Sequence, residues 1–139
     1  MRYWDSSALI PLLVTDEASG AMEALLRDDP AIVTWWGSPV ECVSALARLE
    51  RDGALPADDV RSALERLRQA SHGWVEVPAT DDVREQAIRL LRGHRLRAAD
   101  ALQLAAAVVA SDFQASTLEF VSLDARQREA AEREGFLIP

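Results

Sequence analysis

The chain has 139 residues, 49% hydrophobic and 27% charged, which suits one soluble domain, residues 1–139, with a core of its own. No apolar run approaches the roughly 18 residues a membrane span needs. The N-terminus is not a basic-then-apolar signal segment, so a cytoplasmic location is expected. The formal net charge of −8, with all 15 basic residues arginine, leaves any nucleic-acid contact to local arginine patches or a bound metal ion.

In chain order, Arg2-Tyr3-Trp4 is a short strand and Asp5-Ser6-Ser7 a helix entry, with the serines as caps. Ala8 to Val14 follows as a helix, with Pro11 near its start, and Ala18 to Arg27 has a helical period. Ala31 to Trp35 is a buried strand. Ser38 then caps a helix with Pro39 at its first position and Val40, Val43, Leu46, Ala47 and Leu49 on its buried side. Pro56 to Ala70 is a further helix, with Val60, Ala63, Leu64 and Leu67 inward. Trp74 to Val77 alternates as a strand. Thr80 caps a helix running to about Arg92, and Arg97 to about Ser111 is the most apolar helix. Glu119 to Ser122 is a strand, Asp124 to Glu134 a helix stopped by Gly135, and Phe136 to Ile138 a last short strand. Strands alternating with helices predict an α/β fold with a central parallel sheet covered on both faces.

Four carboxylates fall at strand ends or helix starts: Asp5, Glu41, Asp100 and Asp124. In an open parallel sheet such positions gather beyond the carboxyl ends of the strands. An acid in a first helical turn is also favoured by the helix dipole alone, which accounts for Glu41 and Asp124 as well as catalysis does. Asp5 ends a hydrophobic strand and Asp100 opens an apolar helix, where a carboxylate is costly without compensation. Oxygen-only ligands suit Mg²⁺ or Mn²⁺ rather than Zn²⁺. The lone Cys42 reads as a small buried residue; with only His72 and His94 it makes no zinc site, and both histidines read as surface or loop residues.

The segments carrying these acids are similar to those of a known family. Tyr3-Trp4-Asp5-Ser6-Ser7-Ala8-Leu9, Ser38-Pro39-Val40-Glu41 with Ala45 and Arg48, Leu96-Arg97-Ala98-Ala99-Asp100-Ala101-Leu102-Gln103 and Phe120-Val121-Ser122-Leu123-Asp124 resemble, over essentially the whole chain, a PIN domain. More narrowly, they resemble a VapC-type toxin ribonuclease of a type II toxin–antitoxin pair. The resemblance implies a three-layer α/β/α sandwich and endonucleolytic RNA cleavage by water at a Mg²⁺ or Mn²⁺ site. It puts Asp5, Glu41, Asp100 and Asp124 in the acidic positions, with Ser7 and Ser122 supporting them. Gln103 and Leu123 stand where other members often carry histidine and a small residue, and neither is expected to affect metal binding. It further implies a homodimer and a VapB-type antitoxin that inserts a helix or tail into a groove; Trp35, Trp36 and Ile10 to Val14 are candidate groove residues.

Arg92, Arg95 and Arg97, with His94 among them, form the dense basic stretch and could hold RNA phosphates; the alternative is a solvated helix end. A phosphotransfer enzyme is disfavoured. A haloacid-dehalogenase type needs a second Asp where Ser7 stands, and a receiver type needs a late lysine that this chain lacks. An RNA-processing nuclease without a toxin role and a non-catalytic scaffold are the remaining alternatives.

Overall fold

The computed structural model describes residues 1–139. The elements run β1 (Arg2–Trp4), α1 (Ser6–Leu13), α2 (Ser19–Asp28), β2 (Ile32–Trp35), α3 (Ser38–Arg51), α4 (Ala57–Ser71), β3 (Val75–Val77), α5 (Asp81–Gly93), α6 (Ala98–Ala110), a 3-10 turn at Ala115–Thr117, β4 (Glu119–Val121) and α7 (Ala125–Arg133). The four strands are all parallel, in the order β3-β2-β1-β4. The chain builds outward from β1 to β3, then crosses back to place β4 on the other side of β1. The strand order therefore reverses between β1 and β4, where open α/β sheets form their sites.

Period-two alternation divides the sheet between two cores. Tyr3, Val33, Trp35, Val77 and Phe120 face α5, α6 and α7, with the Tyr3 and Phe120 rings stacked 5.3 Å apart. Trp4, Ile32 and Val121 face the opposite cluster, built from α1 to α4 with Leu9, Cys42, Leu46, Ala63 and Leu67. These two clusters are the α/β/α layers that the alternation of elements predicts. No helix is long and apolar enough to cross a membrane.

Several local expectations change. Asp5, rather than a serine, is the N-cap of α1, so the helix begins two residues early, at Ser6. Pro11 lies inside α1, beyond the first turn. Gly37 caps α3, which frees Ser38 to turn inward. A side chain at Gly37 would meet the Trp35 ring at 2.4 Å, so this tight exit from β2 requires glycine. The buried face of α3 is Ser38, Cys42 and Leu46, while Val40 is 70% exposed and Val43 is exposed too. That rotation seals Cys42 against the core and leaves Glu41 beside the sheet end. Leu64 is likewise partly exposed. Phe136 to Ile138 makes a single parallel bridge, Leu137 to Glu119, rather than a strand. Trp35 is buried in the core and offers no groove surface, whereas its neighbour Trp36 is exposed.

Candidate active site

The β1–α1 and β4–α7 junctions are locked together by backbone and hydroxyl bonds. Asp5 N–H donates to Val121 C=O at 3.0 Å, and Leu123 N–H donates to Ser7 Oγ at 2.9 Å. Ser122 Oγ donates to Asp5 Oδ2 at 2.9 Å, and the Ser7 hydroxyl donates to the same oxygen. The Ser7 N–H adds a longer bond to it at 3.3 Å. Asp5 Oδ2 is thus saturated by donors from both junctions. Oδ1 is not: it receives only long bonds from Gln127 Nε2 at 3.3 Å and Ser6 Oγ at 3.4 Å. One oxygen fixes the carboxylate, and the other stays available.

Two more acids share the donors of that oxygen. Asp100 sits in the first turn of α6 and accepts from Gln127 Nε2 through Oδ1 at 3.2 Å. Glu41 sits in the first turn of α3 and accepts from Ser6 Oγ at 2.8 Å. No arginine, histidine or N-terminus forms an ion pair with any of the three. Burial pushes the Asp5 carboxyl up; the hydroxyls of Ser7 and Ser122 pull it back, and the charge of Asp100 raises it further. Burial likewise raises Glu41, against hydrogen bonding from Ser6 and the nearby Gln103 amide and with the charges of Asp5 and Asp100 adding to the rise. A divalent cation is the natural complement to such a group.

Asp124 stands apart. It is exposed, it is the N-cap of α7, and its Oδ1 accepts the Gln127 N–H at 2.9 Å. Its own N–H donates to Ser122 Oγ at 3.1 Å, so it joins the cluster through a serine rather than through its carboxylate. Of the four sequence-derived acids, the structure brings Asp5, Asp100 and Glu41 together and leaves Asp124 at the rim.

Gln127 was not anticipated from the sequence. It is 2% exposed, and its amide nitrogen bridges Asp5 and Asp100 while its Oε1 has no partner. A buried polar atom left unpaired is uncommon and costly. No group of three Asp, Glu, His or Cys closes into a ready-made metal cage, and the Gln127 amide stands between two of the carboxylates. Helical period gives no warning of this residue, because a Gln at the third position of a polar helix reads as solvent-facing. Gln103 is also fully buried: it accepts from Tyr3 OH at 2.8 Å and donates to Ser38 Oγ at 2.9 Å. Ser38 in turn pairs with Thr34 at 2.7 Å, and Thr34 bonds Trp4 C=O at 2.6 Å. This polar thread fixes the start of α3, and hence Glu41, to the end of β1.

Three of the four acids lie near the switch point of a four-stranded parallel sheet, and similarity to known proteins decides the family. The PIN domain matches residues 2–133. The chain belongs to the PIN-domain family. Among its relatives is Ribonuclease VapC45 of Mycobacterium tuberculosis (strain CDC 1551 / Oshkosh), 33% identical over 119 residues, covering 79% of this chain and 76% of that protein. Ribonuclease VapC49 of Mycobacterium tuberculosis (strain ATCC 25618 / H37Rv) is similar to the same extent. Within the PIN family the chain is therefore of the VapC ribonuclease type. PIN ribonucleases generally use divalent metal ions. The chemistry of the residues here suits one: three acidic side chains with no cationic partner, and one carboxylate oxygen held only by long bonds.

Proposed function

We propose that this PIN domain is a Mg²⁺- or Mn²⁺-dependent endoribonuclease and the toxin of a type II toxin–antitoxin pair. Asp5, Asp100 and Glu41 hold the ion, and Asp124 acts at the rim. The observation that carries this reading is the convergence of three mutually repelling carboxylates, unpaired with any cation, at the β1/β4 switch point. A divalent ion, when bound, supplies Lewis acidity toward water and the scissile phosphate. The protein's own contribution is positional. Ser7 and Ser122 fix Asp5 Oδ2 and leave Oδ1 free to bind, Ser6 orients Glu41, and the first turn of α6 presents Asp100. No histidine or serine need act as nucleophile, because the attacking group is water.

The same surplus of negative charge suits a basic partner segment, so a VapB-type antitoxin that aims an arginine at the carboxylates would be bound and would block RNA at once. A homodimer fits the apolar outer surface at the start of α3, where Trp36, Val40 and Val43 are exposed. Growth arrest on induced expression, relieved by co-expression of the short reading frame beside the gene, tests the toxin role; unaffected growth argues against it. Sequencing RNA 5′ ends after induction identifies the target. The cleavage chemistry is tested by the substitutions set out in the Discussion.

A further inference from the structure

Two stretches far apart in sequence line one open cavity of about 790 Å³: the end of α5 with the loop that follows it, and α7. They bring Arg92, His94, Arg95, Arg126 and Arg133 to its wall, with Glu129 among them. Two of these side chains are already engaged. Arg133 pairs with Glu129 at 2.7 Å, and His94 pairs with Glu134 at 2.6 Å, which also takes Arg89. Arg92, Arg95 and Arg126 have no carboxylate partner and no hydrogen-bonded neighbour. Three free guanidiniums thus share one concavity of a chain whose net charge is −8. Their planar forks match phosphate oxygens two at a time.

The cavity is linked to the site's carboxylates along the chain, although none of them lines it. Arg126 immediately precedes Gln127, whose amide donates to both Asp5 and Asp100. Arg95 lies in the loop that leads into α6, where Asp100 occupies the first turn. Ala130 is the lone hydrophobic residue of the lining, and no Phe, Tyr or Trp is present. An acidic peptide would need apolar anchors that are missing here. The free guanidiniums are matched in number and charge to the phosphates that supply most nucleic-acid contacts, and no Phe, Tyr or Trp platform selects a base.

We propose that this cavity is a sequence-blind site for the sugar-phosphate backbone of single-stranded RNA, which Arg92, Arg95 and Arg126 hold as it approaches the carboxylates. The proposal rests on the ribonuclease reading and adds to it two things: the site is built across α5 and α7, and it confers affinity without sequence preference. Arg97, a neighbour in sequence, does not line the cavity.

The test uses the full chain in chelator with labelled 2′-O-methyl RNA 12-mers of unrelated sequence, so that binding is read without cleavage. Combined Arg92→Ala, Arg95→Ala and Arg126→Ala should weaken binding of every 12-mer about equally, by roughly tenfold or more at low salt. It should reduce the slope of log K against log salt by about 2, from ~0.7 per lost phosphate contact on a single strand. The triple Arg→Lys variant should recover part of the affinity, and Arg51→Ala, remote on α3, should change nothing. A thermal melt shows that the variants fold. Unchanged affinity and slope in the triple Ala variant overturn the proposal. So does a loss confined to some sequences, or displacement of RNA from the wild-type chain by oligoglutamate as readily as by unlabelled RNA. In Mg²⁺-dependent cleavage the triple variant should raise KM and leave kcat within a few-fold. Absence of cleavage by the wild-type chain would sink the ribonuclease reading, whereas an unchanged KM with intact cleavage sinks only the backbone site.

Discussion

Asp5 and Asp124 hold the same local office and end in different environments. Each follows a strand of the β1/β4 pair, each is the N-cap of the next helix, and each accepts a backbone N–H of that helix. For Asp124 this is a sufficient account of its placement: an exposed carboxylate satisfies a free donor and complements the helix dipole. For Asp5 it is not. Its carboxylate is 1% exposed, it takes hydroxyls from both junctions, and it still keeps one oxygen held only by long bonds beside Asp100. A cap alone does not require burial, and burial raises the carboxyl's pKa against its own charge. The difference teaches that identical capping chemistry leaves a carboxylate short of compensation only where the surrounding layers close over it and withhold a counter-cation.

The largest expected effect comes from removing that difference at its buried end. Asp5→Asn or Asp100→Asn should lower Mg²⁺-dependent RNA cleavage by more than about 100-fold, beyond what the loss of an outer-shell partner produces, with circular dichroism unchanged. Parental cleavage by either variant would remove the metal assignment. Asp124→Asn keeps a good cap and should reduce cleavage by about tenfold or less, since Asn caps as well as Asp. A loss as deep as that of Asp5→Asn would show that the exposed carboxylate also works on the ion or the substrate.

Gln127 joins the two sides, because it sits on α7 and bonds the Asp5–Asp100 pair. Gln127→Leu removes a buried donor and should cost about 1–3 kcal/mol in metal-free protein. Mn²⁺ should then raise the melting temperature of the variant more than that of the wild type, because the ion supplies the neutralisation the amide gave. Equal shifts would mean that Gln127 merely fills space.

The smallest effect concerns a carboxylate treated in the opposite way. Burial pushes Glu134 up, but hydrogen bonds from Arg89 and His94 outweigh it and hold the group below its ordinary value of 4.5. A depressed folded-state pKa contributes stability that is fully present above the ordinary value and is lost as pH falls through the folded one. Melting curves of wild type and Glu134→Gln should therefore differ at neutral pH and draw together in acid below pH 4.5. A gap that stays constant with pH would show that the Glu134 carboxylate contributes nothing through its charge.

How much of this was legible in the sequence varies with the range of the interaction. Turn and cap chemistry placed most helices and strands within a residue or two, because Thr80, Gly135 and the apolar runs act locally. The outward turn of Val40 and Val43 was not legible. The face that α3 buries is set by the packing of Cys42 and Leu46 against the α1–α4 core rather than by hydrophobicity. His94 illustrates the same limit: its place among arginines suggested a basic surface, yet it is bonded to Glu134, 40 residues away.

The sequence by itself determined the alternation of strands and helices, the family motifs, and the positions of Asp5, Glu41, Asp100 and Asp124 at element ends. All of these depend on neighbours a few residues apart. Only the tertiary structure decided that three of the acids meet while Asp124 remains a cap. It alone left one oxygen of Asp5 with only long bonds, set Gln127 between two carboxylates and assembled an arginine cavity from α5, α7 and the loop between α5 and α6. These features depend on where the crossover drops β4 beside β1, and on which side chains the two helical layers then bury. Charge density and desolvation arise from that convergence in space, which spacing along the chain does not encode.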